Sequence, residues 1–243
     1  MGDIPTYASF SLTHVHYNPN DPISYLCAWL ALLPQGLCVV YATLIWSTRE
    51  AEIFLMFAGQ LACEAINFVL KRIIREERPK VHTGKGYGMP SSHAQFVAFF
   101  AVHLTLFLLI RHKPRQFSRE KGMHNPLTFG SRAVISLGVL GTAAAVAWSR
   151  IYLSYHTSKQ VLVGLIAGTI CAVGWFTIVE LIRSMGRLEQ VLDMEIVKYF
   201  RVRDLVVVED LPQSGWEAWE QRRKDRAAKR RLGNGEVIGK KMR

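Results

Sequence analysis

Five apolar blocks set what this chain can fold into. Tyr25–Trp46, Ala51–Leu70, Ala94–Ile110, Ala133–Trp148 and Val161–Ile182 are each near or above the length that crosses a bilayer as a helix. The first, third and fourth carry no formal charge; Glu52 and Glu64 fall in the second, and Glu180 lies near the end of the fifth. Backbone in hydrocarbon must satisfy its own hydrogen bonds, so such blocks fold as helices. The fold class expected is all-α: a polytopic membrane helix bundle with about five transmembrane helices and a basic, partly helical tail. Charges in Val191–Phe200 argue against a sixth span.

Three regions follow from this division: an N-terminus over 1–23, a membrane domain over 24–182 and a basic tail over 183–243. The polar stretch Met1–Asn20 has no apolar core of the kind a signal peptide carries. Cys27, Cys38, Cys63 and Cys171 all sit inside apolar blocks and read as packing residues. No Cys/His spacing resembles a zinc site, and His14-Val15-His16 is too weak a signal to count as one. No metal and no other cofactor is expected. In the tail, Leu188, Val191, Leu192, Ile196, Tyr199 and Phe200 recur at helical spacing, as in a helix lying on a membrane surface. Trp216–Arg231 reads as a basic helix, better suited to solvent or lipid headgroups than to nucleic acid.

Orientation follows from charge. With five spans, the loops after the second and fourth blocks share a side with Met1, and the loop after the third shares a side with the tail. The tail side holds six basic residues in Arg111–Arg132 and fifteen in Arg183–Arg243. Positive charge marks the cytosolic side, which places the C-terminus there and the N-terminus on the far side. Yet the opposing loops are basic too. Charge used only for orientation would not be placed so; charge used to bind phosphate would.

The stretch Lys71–His93, KRIIREERPKVHTGKGYGMPSSH, concentrates that charge. Lys71, Arg75 and Arg78 are spaced to line one helix face, with Pro79 ending the helix. Glycines 84, 86 and 88 form a loop. Ser92 and Gln95 read as a capping box opening the next helix, whose N-terminus is suited to anions. A second stretch, Ser149–Gln160 (SRIYLSYHTSKQ), lies on the same membrane face. Two histidines, two arginines, a lysine and serines thus gather there. That set suffices for phosphate-ester chemistry: one imidazole attacks phosphorus, guanidiniums hold the oxygens, and a second imidazole protonates the leaving oxygen. Taken singly, a basic cluster at a helix end is also what an interfacial anchor looks like.

In order along the chain stand Lys71…Arg78-Pro79, Pro90-Ser91-Ser92-His93 and Ser149-Arg150…His156…Gln160. These resemble the three signature pieces KxxxxxxRP, PSGH and SRxxxxxHxxxD of the type 2 phosphatidic acid phosphatase superfamily of membrane lipid phosphatases. The resemblance runs from Lys71 to about Ile182. It implies that His156 is the nucleophile forming a phosphohistidine and His93 the general acid. It implies that Lys71, Arg78 and Arg150 clamp phosphate with Ser91, that the backbone of Ser92 serves where the family has Gly, and that no metal is needed. PSSH and the YHT…Q variant are most similar to the dolichyl diphosphatase branch. That branch implies an endoplasmic reticulum membrane enzyme with a lumenal active site. Its substrate would be a polyprenyl (dolichyl) diphosphate, its product dolichyl phosphate for protein glycosylation. Lys240-Lys241 near the C-terminus resembles a dilysine retrieval signal of that compartment.

Gln160 departs from the superfamily pattern, which has Asp there. Its amide oxygen can accept a bond from His156 four residues earlier. Its NH2 group could equally face the ring and select the wrong tautomer. The expectations therefore divide. The chain is a dolichyl diphosphatase, a phosphatase of another lipid (phosphatidate, a sphingoid phosphate, a shorter prenyl diphosphate), or an inactive lipid-phosphate binder. Lys80, Lys85 and Lys159 would suit a diphosphate. A Gln160→Glu change is expected to keep or raise activity by restoring a carboxylate.

Overall fold

The computed structural model describes residues 8–10, 15–79, 86–113 and 127–241. Strands β1 (Ala8–Phe10) and β2 (Val15–Tyr17) pair antiparallel, a small ribbon the all-α expectation omits. Then come α1 (Pro22–Leu30), α2 (Leu33–Thr48), α3 (Ala51–Ile74) and α4 (Ser92–Leu106), the last continued by a π-helical turn at Phe107–Arg111. After these stand α5 (Phe129–Tyr152), α6 (Ser158–Ser184), two short helices α7 (Arg187–Leu192) and α8 (Glu195–Tyr199), and α9 (Leu211–Lys241).

Five of these helical stretches are long and apolar enough to cross a membrane: Pro22–Thr48, Ala51–Ile74, Ser92–Arg111, Phe129–Tyr152 and Ser158–Ser184. All extend past the apolar blocks because polar residues continue the helices beyond the hydrocarbon. The first is broken between α1 and α2. Pro34 has no N–H to offer the carbonyl of Leu30, so the helix interrupts there. This break has a use at the site described below.

α4 is the central column. Its apolar window is 56% buried, against 28–33% for the other spans. It packs against α2, α3, α5 and, most extensively, α6. The α6 contact depends on two glycines. A Cβ at Gly164 would lie 2.7 Å from the carbonyl oxygen of Ser91, and one at Gly168 would press still closer on that of Gln95. The GxxxG face of the fifth span therefore lies on α4, backbone against backbone. Polar bonds inside the bundle add register. Gln95 accepts from Asn67 Nδ2 at 2.7 Å and donates to the Cys63 carbonyl at 2.9 Å, tying α4 to α3. The capping box expected at Ser92 and Gln95 does not form. Ser91 is the N-cap residue, its side chain makes no capping bond, and Gln95 turns into the core.

At the end where α3 starts and α6 stops, Glu52 accepts from Arg111 at 2.5 Å and from Arg183 at 2.6 Å, and Arg183 also pairs with Asp204. Glu50 accepts the N–H groups of Leu205 and Val206 at 2.8 and 3.0 Å. The start of the tail is anchored there. Leu188 is buried while Val191, Ile196, Tyr199 and Phe200 are exposed, and the amphipathic stretch is split into α7 and α8 near Asp193. The ribbon lies at the opposite end, where His16 N donates to Tyr155 Oη at 2.7 Å.

The glycine contact predicts its own test. Gly168→Ala should destabilise by about 1–3 kcal/mol, because a methyl cannot enter without moving the backbone of α4. Gly174→Ala, with nothing within 4 Å of the added Cβ, should cost nothing. Thermal unfolding in detergent compares them; equal midpoints would show that the α4–α6 contact is not tight.

Candidate active site

The site assembles where α3 ends, α4 begins, and α5 turns into α6. α3 stops at Ile74, not at Pro79: Arg75 is the C-cap, with a left-handed φ of 52°. Lys71 is in the last helical turn, whereas Arg78 lies on the extended segment beyond it, so the two share no helix face. The extended segment returns alongside Gly88, whose N–H donates to the carbonyl of Glu76 at 2.7 Å. Lys71 Nζ donates to Ser92 Oγ at 2.9 Å. Ser91 N donates to the carbonyl of Gln160 at 3.1 Å, which seats the start of α4 on the first turn of α6.

His156 precedes Thr157, the N-cap of α6. The capping box of this site is here: Thr157 Oγ1 accepts from Gln160 N at 3.2 Å, and Gln160 Oε1 accepts from Thr157 N at 3.3 Å. The same Oε1 lies 3.2 Å from His156 Nδ1, and the carbonyl of Gly88 lies 2.9 Å from that nitrogen. Gln160 Nε2 is fixed by two acceptors, Glu76 Oε1 at 3.1 Å and the Glu77 carbonyl at 2.8 Å. The amide therefore presents oxygen, not NH2, to the ring. Facing two acceptors, Nδ1 carries the proton and Nε2 keeps its lone pair. Gly88 permits this close approach, since a Cβ there would lie 2.8 Å from Gln160 Nε2.

His93 is half-buried, and its Nε2 lies 3.1 Å from the carbonyl of Ala31. That carbonyl belongs to the break between α1 and α2. An acceptor there puts the proton on Nε2, leaving Nδ1 as the nitrogen that can take up or release one. Arg150, in the last turn of α5, stacks its guanidinium 4.4 Å from the centre of the Tyr155 ring. Arg78 Nε, Arg150 Nε and Nη1, and Ser91 Oγ are buried and have no hydrogen-bond partner among the described residues. Buried unpaired donors are rare and costly. Their convergence suits an anion with several oxygens, as does the N-terminus of α4.

Electrostatics agree with this geometry. Burial, reinforced by Arg78, Arg150 and Lys71 and opposed by the bond to Gln160, lowers His156 to about 4. His156 is thus held as a neutral base around pH 7. The Gln160 bond first, then Lys159, holds Glu76 below the usual carboxylate range, so Glu76 is an anion.

The sequence-predicted set is thereby one cluster: Lys71, Arg78, Ser91, Ser92, His93, Arg150, His156 and Gln160. Lys159 is not part of it. Its side chain is 71% exposed and pairs with Glu76 at 3.1 Å. Lys80 and Lys85 lie outside the described residues. Contributors with no counterpart in the sequence reading include the carbonyls of Gly88, Ala31 and Glu77, and the ring of Tyr155. Backbone carbonyls leave no trace in residue type. The Thr157-x-x-Gln160 spacing, however, is a legible capping signal.

A five-span bundle with paired histidines and converging cations at one end defines a membrane phosphatase type of architecture, and comparison with known proteins agrees. Residues 52–183 match the PAP2 superfamily. A Neurospora crassa protein provisionally named a dolichyldiphosphatase is 56% identical, over 91% of this chain and 94% of its own. Human "Dolichyldiphosphatase 1" is 37% identical and Saccharomyces cerevisiae "Dolichyldiphosphatase" 32%, each over 82% of both chains. The crystal structure of a transmembrane PAP2 type phosphatidylglycerolphosphate phosphatase from Bacillus subtilis superposes with a TM-score of 0.50 at 21% identity, over 65% of this chain and 77% of that one. The chain belongs to the PAP2 superfamily, in its dolichyldiphosphatase branch, and is a multi-pass membrane protein.

The tautomer can be read directly. In 15N-histidine-labelled protein, with His156→Ala for assignment, His156 should show a protonated Nδ1 and a bare Nε2 from pH 8 down to about 4. Because its pKa is lowered, the second proton arrives only below that value. A ring titrating near 6.5, the unperturbed value, would contradict the buried, cation-flanked setting.

Proposed function

We propose that this chain hydrolyses dolichyl diphosphate to dolichyl phosphate and phosphate through a phosphohistidine. The substrate rests on the relatives named dolichyldiphosphatase, which match most of the chain. The chemistry rests on one observation above the others: two acceptors on Nδ1 leave His156 Nε2 as a lone pair amid unpaired cationic donors.

Mechanism follows from these positions. The terminal phosphoryl group sits among Arg78, Arg150, Lys71, Ser91 and the first N–H groups of α4. His156 Nε2 attacks its phosphorus in line. The bond from phosphorus to the bridging oxygen breaks, and dolichyl phosphate leaves with a proton from His93 Nδ1. Water then attacks the phosphohistidine, His93 Nδ1 takes the water's proton, and the N–P bond breaks to release phosphate. His156 ends neutral with Nδ1–H, and His93 ends protonated for the next cycle. The guanidiniums stabilise charge on the transferring oxygens, the role such clamps play in phosphoryl transfer.

The reading extends to place. The site faces the lumen of the endoplasmic reticulum, the tail lies in the cytosol, and the released lipid phosphate returns to use as a glycan carrier in protein N-glycosylation. The basic count on the tail side supports this orientation. The membrane domain over 24–182 carries the site at one end and anchors the start of the 183–243 tail at the other, so the two face opposite sides.

Purified protein in chelator should release phosphate from dolichyl diphosphate faster than from phosphatidate or sphingosine phosphate, and His156→Ala should release none while keeping its thermal transition. Turnover in folded His156→Ala protein would refute the phosphohistidine; a preference for phosphatidate would refute the substrate. Orientation has a separate test. Single cysteines at Gly86 and Ser154 should be shielded from a membrane-impermeant thiol reagent in sealed microsomes, and one at Gly235 should react. The reverse pattern would invert the topology.

A further inference from the structure

The ring of His156 gains formal positive charge when Nε2 bonds to phosphorus, because Nδ1 keeps its proton. In the superfamily pattern the residue at position 160 is an Asp, whose carboxylate would face that charge. Gln160 carries none. Among the described residues, a carboxylate stands one amide further on. Glu76 Oε1 accepts from Gln160 Nε2 at 3.1 Å, and Gln160 Oε1 faces His156 Nδ1 at 3.2 Å. The amide group is thus strung between a carboxylate and an imidazole. It is completely buried, and its Nε2 also donates to the Glu77 carbonyl.

We propose that Glu76 is the positioning residue of this site: its carboxylate, acting through the Gln160 amide, supplies the negative charge and the amide orientation that an Asp at position 160 would supply directly. This deepens the hydrolase reading above and rests on it. No proton moves along the chain of bonds. Glu76 stays an anion and polarises the amide, so that Oε1 becomes a stronger acceptor for Nδ1–H. Lys159, on the solvent side of Glu76 at 3.1 Å, fixes the carboxylate without reaching the ring.

The geometry also gives a different expectation for Gln160→Glu. A carboxylate at position 160 would face the Glu76 carboxylate and the Glu77 carbonyl, with no hydrogen between any of them. Activity should fall, not hold. Exchanging the two residue types should repair this. The amide then at position 76 can donate its NH2 to the carboxylate at position 160, which in turn accepts from His156.

The experiment is a double-mutant cycle with Glu76→Gln, Gln160→Glu and the two changes combined, assayed beside wild type. Glu76→Gln keeps shape and acceptor but loses charge; kcat should fall about tenfold, as for outer partners of catalytic groups, with KM little changed. Gln160→Glu should fall at least as far. The exchanged variant should exceed both, a non-additivity that residues acting independently do not give. A wild-type kcat in Glu76→Gln, or an exchanged variant no better than the worse single one, would overturn the relay. The second readout needs no turnover: the Nδ1–H proton of His156 should move upfield in Glu76→Gln and return in the exchanged variant. An unmoved resonance would overturn the relay as well. Absence of phosphate release in wild type would sink the hydrolase reading instead, and the resonance would still decide the relay.

Discussion

The contact of α6 on α4 is what the rest of the structure depends on. Gly164 and Gly168 let the two backbones touch, and a methyl at either position would press on a carbonyl oxygen of α4 or of its N-cap. In a bilayer there is no hydrophobic drive to bring helices together, so close packing of this kind carries the association. Its consequence reaches the site. With the two helices in register at Gly164, the first turn of α6 meets the start of α4, and Ser91 N finds the carbonyl of Gln160. Residues 91–93 and 156–160 come together because two small residues lie further along the same face. The site is an outcome of helix packing more than of the loops that join the helices.

Polar groups within the bundle follow the same logic. Asn67, Gln95 and the carbonyl of Cys63 satisfy one another between α3 and α4. At the end away from the site, Glu52 binds Arg111 and Arg183 together, and Glu50 binds the backbone of the tail. Buried charges of this kind are retained when carboxylates pair with them. Partnered in this way, Arg111 and Arg183 act as internal ligands of α3 and not as free surface charge. Site-end cations differ. Arg78 and Arg150 pair with no carboxylate among the described residues, whereas Arg111 and Arg183 do, and that contrast between the two ends marks which end suits an anion.

Much of this is legible in residue order. The five apolar blocks set the number of spans, and the three motif pieces fall at one end of the bundle. What fails are local rules overridden by tertiary contacts. Lys71, Arg75 and Arg78 have helical spacing, but Arg75 turns left-handed and ends α3 early, which frees Arg78 to run beside Gly88. Ser92 and Gln95 have capping-box spacing, but Gln95 serves the core as a link to α3, and Ser92 Oγ accepts from Lys71. The capping box that does form, Thr157 and Gln160, has the same spacing, yet a Gln four residues after a histidine reads first as that histidine's partner. The partnership of His93 with Ala31 is beyond sequence, since it depends on a carbonyl at the break where Pro34 interrupts the first span.

Gln160 shows how one side chain can serve two structural ends. As the third residue of α6 it closes the helix cap, and as the neighbour of His156 it selects the tautomer. An Asp at this position is one methylene shorter and offers no N–H, so it could not also hold Glu76 and the Glu77 carbonyl. With Gln, the extended segment after α3 is stitched to α6 by both its N–H groups. That stitch fixes Arg78, two residues after Glu76, beside the same glycine whose carbonyl meets His156. Replacing a charged partner by a neutral one therefore gives up a direct carboxylate on the ring. It gains a rigid link between the phosphate-binding segment and the nucleophile. The loss of charge is smaller than the residue change suggests, because the same link brings the Glu76 carboxylate to the far side of the amide.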